Sequence, residues 1–208
     1  MFIGPWELGG SWSSTGIEGI HRFINRMWSV VVEPRQAPQA LPTPEAVRAL
    51  RRLTHQTIRD VTNDFEAFKF NTAQASLMKF NNYLVKAKET DVYGTPAWDE
   101  AMRSLVLMIA PIMPHVAEEM WERLGQPYSV HLQAWPTWDA EVAADEVITL
   151  VAQINGKVRA RLDVPADISE EDARAAVLAH ENVQRYVADK QVVNLVYVPG
   201  KLVNIVVR

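Results

Sequence analysis

The stretch VITLVAQINGKVRARLDVP, residues 147–165, decides the fold, because it is where the chain changes period. Residues 147–154 form a strand-like apolar run. Asn155-Gly156 follows, the strongest short signal for a hairpin, since a type I′ turn needs positive φ at both central positions. Residues 157–164 then alternate charged with apolar side chains, and Pro165 closes the second strand. A period of two predicts a β-hairpin here, whereas the regular patterns upstream recur at helical intervals.

Downstream of the hairpin, Ser169 is placed to cap an acidic first turn of Glu170, Glu171 and Asp172. Helical spacing continues through Ala176 and Val177 and, after a break, Val183 and Val187. Residues 192–198 and 202–207 read as two more strands around Pro199-Gly200. The order β-β-α-β-β over residues 147–208 predicts a small α+β domain with its helical layer on one sheet face.

Upstream, Thr15 and Glu18 have capping-box spacing, and Ile17, Ile20, Ile24, Met27, Trp28 and Val31 follow as an apolar stripe that ends before Pro34. Thr43-Pro44 starts a second helix with Val47, Leu50, Ile58, Val61 and Phe65 on one face, running to about residue 64. A third is expected from Asn71, which can cap, along Ala73, Leu77, Phe80, Leu84 and Ala87. Thr95-Pro96 opens a fourth through Trp98, Met102, Leu105 and Ile109. Pro111 and Pro114 then interrupt, and a fifth helix with Val116, Met120, Trp121 and Leu124 stops at Gly125. Amphipathic helices on short connections bury their stripes only together, so the chain is expected to be mainly α: an antiparallel helical bundle over 15–125. Residues 1–14 read as an irregular lead-in, and 126–146 as a linker.

The 208 residues include no cysteine, which excludes disulfides, thiol nucleophiles and Cys-bound zinc. No run of about 18 apolar residues and no signal peptide is present, so the chain reads as soluble and cytoplasmic, with no membrane partner. Its net charge of -4 hides a segregation. Residues 1–63 hold seven Lys/Arg against five Asp/Glu, 64–146 hold six against thirteen, and 147–208 hold eight against seven. The acidic excess lies in the middle, leaving both ends able to face a polyanion.

Phosphate-loop, dinucleotide, zinc-protease and nucleophile-elbow motifs are all missing. His115 and Glu118 share a helical face, but a metal site needs at least a third ligand, and carboxylates near a helix N-terminus have a structural explanation. Two basic arrays carry more weight. Arg48, Arg52, His55 and Arg59 fall along one side of the second helix, and Arg22 with Arg26 makes a similar pair on the first. Strict alternation would put Lys157, Arg159 and Arg161 on one sheet face, with Val158, Ala160 and Leu162 facing the core; Lys190, Lys201 and Arg208 could widen that patch. For each array the alternatives are an ordinary solvated surface or a track for RNA phosphates. Of the tryptophans, Trp28, Trp98 and Trp121 sit on apolar stripes and read as core. Trp6, Trp12, Trp135 and Trp138 lie in irregular segments and are expected to pack connections onto the bundle.

Particular strings carry a resemblance. FIGPWE at 2–7 and GIEGIHRFINRMW at 16–28 resemble the segment after the KMSKS loop in bacterial leucyl-tRNA synthetases. FNTA at 70–73 and APIMPHVAEEMW at 110–121 resemble the anticodon-binding-type bundle of class Ia synthetases generally. QINGKVR at 153–159 and VYVPGKLVNIVV at 196–207 look like the bacterial leucyl C-terminal domain, and isoleucyl-type enzymes commonly end in Cys-bound zinc instead. The resemblance implies a tRNA-binding C-terminal fragment whose partners are tRNA(Leu) and the catalytic and editing domains, which would lie upstream of Met1. It implies no catalytic residue, metal or cofactor in this chain, with ATP and Mg used by the parent enzyme. The bundle would pack along the tRNA through Arg22, Arg26, Arg48, Arg52 and Arg59. The C-terminal domain would touch the elbow through Lys157, Arg159 and Arg161. Shape and backbone contacts would dominate, since these enzymes identify their tRNA largely without the anticodon. The alternatives are the small subunit of a naturally split synthetase, with Phe2, Ile3, Trp6, Leu8 and Trp12 as its interface, or the matching fragment of another class Ia enzyme.

Overall fold

A computed structural model describes residues 4, 8–9, 14–36, 38, 40–145, 147–166, 168–188 and 190–208, the first two of the 14–36 stretch by backbone alone. Most of the lead-in, including Trp6 and Trp12, lies outside the described residues. The chain divides into two units, residues 1–144 and 145–208.

The first unit is the expected bundle. Among the described residues it contains five α-helices: α1 Ser14–Val32, α2 Pro44–Glu66, α3 Phe70–Ala87, α4 Pro96–Ile109 and α5 Pro114–Arg123. Thr43 and Thr95 cap as read from the sequence, each side chain accepting a backbone N–H three residues on, at 3.2 Å. Asn71 does not cap. Helix α3 starts one residue earlier, behind Lys69, because the α2–α3 turn is already closed by backbone alone. Lys69 N–H reaches the Asp64 carbonyl and Phe68 N–H the Phe65 carbonyl, with Phe68 at φ 56 where glycine is usual. Gly125, at φ 67, ends α5 with the same pair of bonds, to Trp121 and Glu122.

Helix α2 packs against both α3 and α4, and α1 against α3 and α5. Met27, Leu50, Leu77, Phe80, Leu105 and Met120 are fully buried at the centre. The α1 stripe is rotated from the expected one: Phe23, Met27, Val30 and Val31 are buried, while Ile17 is 47% exposed. The stretch read as a linker is tied to the bundle over much of its length. Trp135 Nε1 donates to Thr62 Oγ1 at 2.8 Å, the Gln56 amide to the Ala143 carbonyl at 3.0 Å, and Asp139 N–H to His55 Nδ1 at 2.9 Å. Trp98 and Trp121 are buried as expected, each 4% exposed. No helix among the described residues is long and apolar enough to cross a membrane.

The second unit is the expected α+β fold. Its elements are β1 Val147–Ile154, β2 Lys157–Pro165, α6 Glu170–Ala179, α7 Glu181–Val187, β3 Val192–Val198 and β4 Leu202–Val207. The break between the helices falls at His180, whose backbone is extended. Strand order is β2-β1-β4-β3, antiparallel except for the parallel pair β1/β4. Asn155 and Gly156 turn at φ 48 and 77, as a type I′ hairpin requires. Asn155 does more than turn. Its amide donates to the Val207 carbonyl at 3.1 Å and accepts the Val207 N–H at 3.0 Å, pinning β4 beside β1.

Candidate nucleic-acid interface

In the first unit, helices α1 and α3 run side by side in the same direction. Arg26 on α1 donates to Asn82 on α3 at 3.3 Å, and Lys88 near the end of α3 donates to the carbonyls of Ser29 and, at 2.6 Å, Glu33 at the end of α1. That alignment sets the exposed pair Arg22 and Arg26 beside an exposed stripe of α3 carrying Lys79, Asn82 and Lys86. The two lysines were not singled out in the sequence, although their seven-residue spacing around Asn82 marks one helical face. On the other side of α3 lies Arg52 of α2, close enough to act on the Tyr83 phenol. Burial pushes that phenol up, and the Arg52 guanidinium works against the shift. Cations from α1 and α3 thus border one another along the second half of α3, and Arg52 of α2 stands within reach of Tyr83.

The α2 array is less open than its spacing suggests. Arg48 is exposed and pairs with Glu45 at 3.2 Å, Arg52 is half-buried, and Arg59 is half-buried and paired with Asp60 at 2.9 Å. His55 does not belong to the array. It is buried, its Nε2 lies 3.2 Å from Glu100, which also holds Arg51 at 3.0 Å, and its Nδ1 accepts the Asp139 N–H. An acceptor at Nδ1 places the ring proton on Nε2, so His55 is a structural tie between α2, α4 and the 126–144 segment. The reason is that α2 packs on two neighbours, which leaves only a narrow solvent face.

The His115 and Glu118 pair has its structural explanation. Glu118 accepts from the Ser129 hydroxyl and from Val130 N–H at 3.2 Å, holding the short 3-10 turn Val130–Leu132 against α5, while His115 is exposed. Among the described residues no group of three or more His, Asp or Glu could hold a metal ion.

In the second unit the expected single-face triad does not form. Residues Ala152 and Gln153 of β1 oppose Ala160 and Val158, so Arg159 is an extra residue on β2, a β-bulge. Below the bulge Arg161 opposes Val151 on the helix-free face; above it Lys157 opposes Ile154, which faces the core side. Val158, expected inside, is 49% exposed. Arg159 is half-buried and turned onto α7, its guanidinium carbon 4.0 Å from the centre of the Tyr186 ring. A bulge shifts register by one residue, and no periodicity argument can place it from sequence.

The register also sorts the outlying cations. Lys157 stands at the sheet end that holds the Asn155-Gly156 turn, and so do Lys190 and Arg208, because Gln191 and Arg208 exchange backbone hydrogen bonds there. Lys201 lies at the opposite end, in the β3–β4 turn. Arg174 and Arg185 are neutralised one helical turn away by Glu170 and Glu181.

The family described as the anticodon-binding domain of tRNA ligase matches residues 47–174, from within α2 to within α6. Leucine–tRNA ligases of Dehalococcoides mccartyi strain BAV1 and Herpetosiphon aurantiacus are 48% and 49% identical over 208 residues, and that of Deinococcus radiodurans is 40% identical over 209. Each alignment covers all of this chain and 25% of the relative, so the chain spans about a quarter of the length of the curated relatives it matches. The crystal structure of the agnB2 LeuRS of Agrobacterium radiobacter K84, in a ternary complex with tRNA and LeuAMS, superposes with a TM-score of 0.80 at 29% identity, over 96% of this chain and 26% of that one.

Proposed function

The chain belongs to the anticodon-binding domain family of tRNA ligases, and from that premise we propose that it docks tRNA(Leu) for a leucine–tRNA ligase in the cytoplasm. The observation that carries this reading is the alignment of α1 with α3, which gathers Arg22, Arg26, Lys79 and Lys86 on one exposed face of a unit from that family. Guanidinium and ammonium groups side by side repel one another; a sugar-phosphate backbone relieves that repulsion and releases its condensed counterions. Arg52, half-buried beside α3, loses less freedom on contact than an open side chain would.

The second unit meets the tRNA at its elbow through Lys157, Arg159 and Arg161. Lys157 and Arg161 project from opposite faces of β2, but β2 is the edge strand of the sheet, so an RNA backbone running along that edge is within reach of both. Neither unit reads base edges on this account, and shape and backbone contacts set the register of the complex. Leucine, ATP and Mg are handled by the catalytic portion of the ligase, which is also this chain's protein partner. The leucine–tRNA ligase relatives and the tRNA-bound LeuRS neighbour support the choice of substrate.

Substituting Lys157, Arg159 and Arg161 together by Ala tests the second unit's role. The slope of log binding constant against log salt should flatten by about 2 to 3, at roughly 0.7 to 0.9 per phosphate contact. An unchanged slope removes these three from the interface.

A further inference from the structure

Arg159 is held in a way that a surface arginine or a packing arginine ordinarily is not. The bulge takes it out of the β2 alternation, and bulges commonly re-aim a side chain in this manner. Its guanidinium carbon stands over Tyr186, 4.0 Å from the ring centre, while Nη1 donates to the Tyr186 hydroxyl at 3.2 Å. Nε is shut away from solvent and meets no acceptor. Among the described residues no carboxylate pairs with Arg159, although the two helical arginines of the same unit, Arg174 and Arg185, both have one. A half-buried cation that is positioned but not neutralised is the arrangement a site adopts when the anion comes from outside.

We propose that Tyr186 is a positioning residue for RNA: its ring holds the Arg159 guanidinium in place, so that the remaining N–H donors meet a phosphodiester oxygen without first being ordered. This rests on the tRNA-docking reading above. Tyr186 itself touches no RNA, and its effect passes entirely through Arg159. Ordering one long side chain before contact spares a cost that corresponds to about a two- to fivefold advantage in binding, which sets the scale of the expected losses.

The test uses the whole chain and a transcribed leucine-accepting tRNA at low salt, with wild type, Arg159→Ala, Tyr186→Ala, Tyr186→Phe and the double Ala variant. Tyr186→Ala should weaken binding about two- to fivefold. The double variant should bind as Arg159→Ala does, within a factor of about two, because the ring has no route to the RNA once the guanidinium is gone. Tyr186→Phe keeps the ring and should stay near wild type. Arg159→Lys keeps the charge but not the planar stack, and should lose about as much as Tyr186→Ala, which leaves a readout should the latter fold poorly. If wild type binds and Arg159→Ala weakens it while Tyr186→Ala has no effect, or while the two losses simply add, the positioning role is overturned and the docking reading stands. A Phe variant as weak as the Ala variant also overturns it. Wild type that binds no tRNA removes the premise as well.

Discussion

Replacing Asn155 by Ala should destabilise the second unit by about 2 to 4 kcal/mol. Two hydrogen bonds to the Val207 backbone disappear, at 3.1 and 3.0 Å, together about 1 to 3 kcal/mol. Ala must also adopt φ 48, which asparagine tolerates and alanine does not, for roughly 1 kcal/mol more. Asn155→Gly separates the terms. It loses both bonds without the strain but gains freedom in the unfolded chain, so it should stand only about 0 to 0.6 kcal/mol above the Ala variant. Urea unfolding gives the totals, provided the denaturant slope is unchanged. Amide exchange at Val207 is the sharper assay, because the acceptor for that N–H is the Asn155 side chain itself. Both variants should lose its protection. Val207 protection equal to wild type in Asn155→Ala would refute the idea that this side chain pins the last strand.

Other perturbations follow from the same geometry. Asn81 is fully buried with neither side-chain polar atom bonded, so Asn81→Leu should stabilise the bundle by about 1 to 3 kcal/mol, and a lower melting temperature would contradict that. Lys79→Ala with Lys86→Ala should flatten the salt slope of tRNA binding by about 1.4 to 1.8; no change would take the α3 stripe out of the interface. Burial pushes the Lys88 ammonium below its ordinary 10.5, against the pull of Glu33 and Glu89. Just under 10.5 the unfolded chain therefore holds a proton the folded chain has released, so this site's contribution to stability rises with pH there. Because the raised Tyr83 phenol acts in the opposite sense over the same range, the readout is a difference: the wild-type urea midpoint should rise relative to that of Lys88→Met as pH approaches 10.5.

Helices, strands and most of the caps were legible because each signal is local. Thr43-Pro44, Thr95-Pro96 and Ser169 act on backbone groups within a few residues of themselves, and Asn155-Gly156 sets the hairpin by its own two positive φ angles. Asn71 has the character of a cap but does not serve as one, because the α2–α3 turn closes through backbone bonds alone, with Phe68 taking the left-handed conformation usual for glycine. The candidate site was less legible. His55 has the spacing of an exposed array, yet whether it faces water depends on how many neighbours α2 has. Lys79 and Lys86 gain meaning only from the lateral alignment of α3 with α1. The triad on β2 depended on strict alternation, and one extra residue at Arg159 was enough to redirect it. Tyr186 carries no signal in the sequence, being far from Arg159 along the chain.

Whether the cations of these two units hold a tRNA by its backbone is decided by titrating the purified chain with leucine-accepting and with non-cognate tRNA at two ionic strengths. Binding should be tighter for the leucine-accepting tRNA and should weaken steeply as salt rises, with a log-log slope corresponding to several phosphate contacts at about 0.7 to 0.9 each. No affinity for any tRNA at low salt, or an affinity indifferent to salt, would contradict the account.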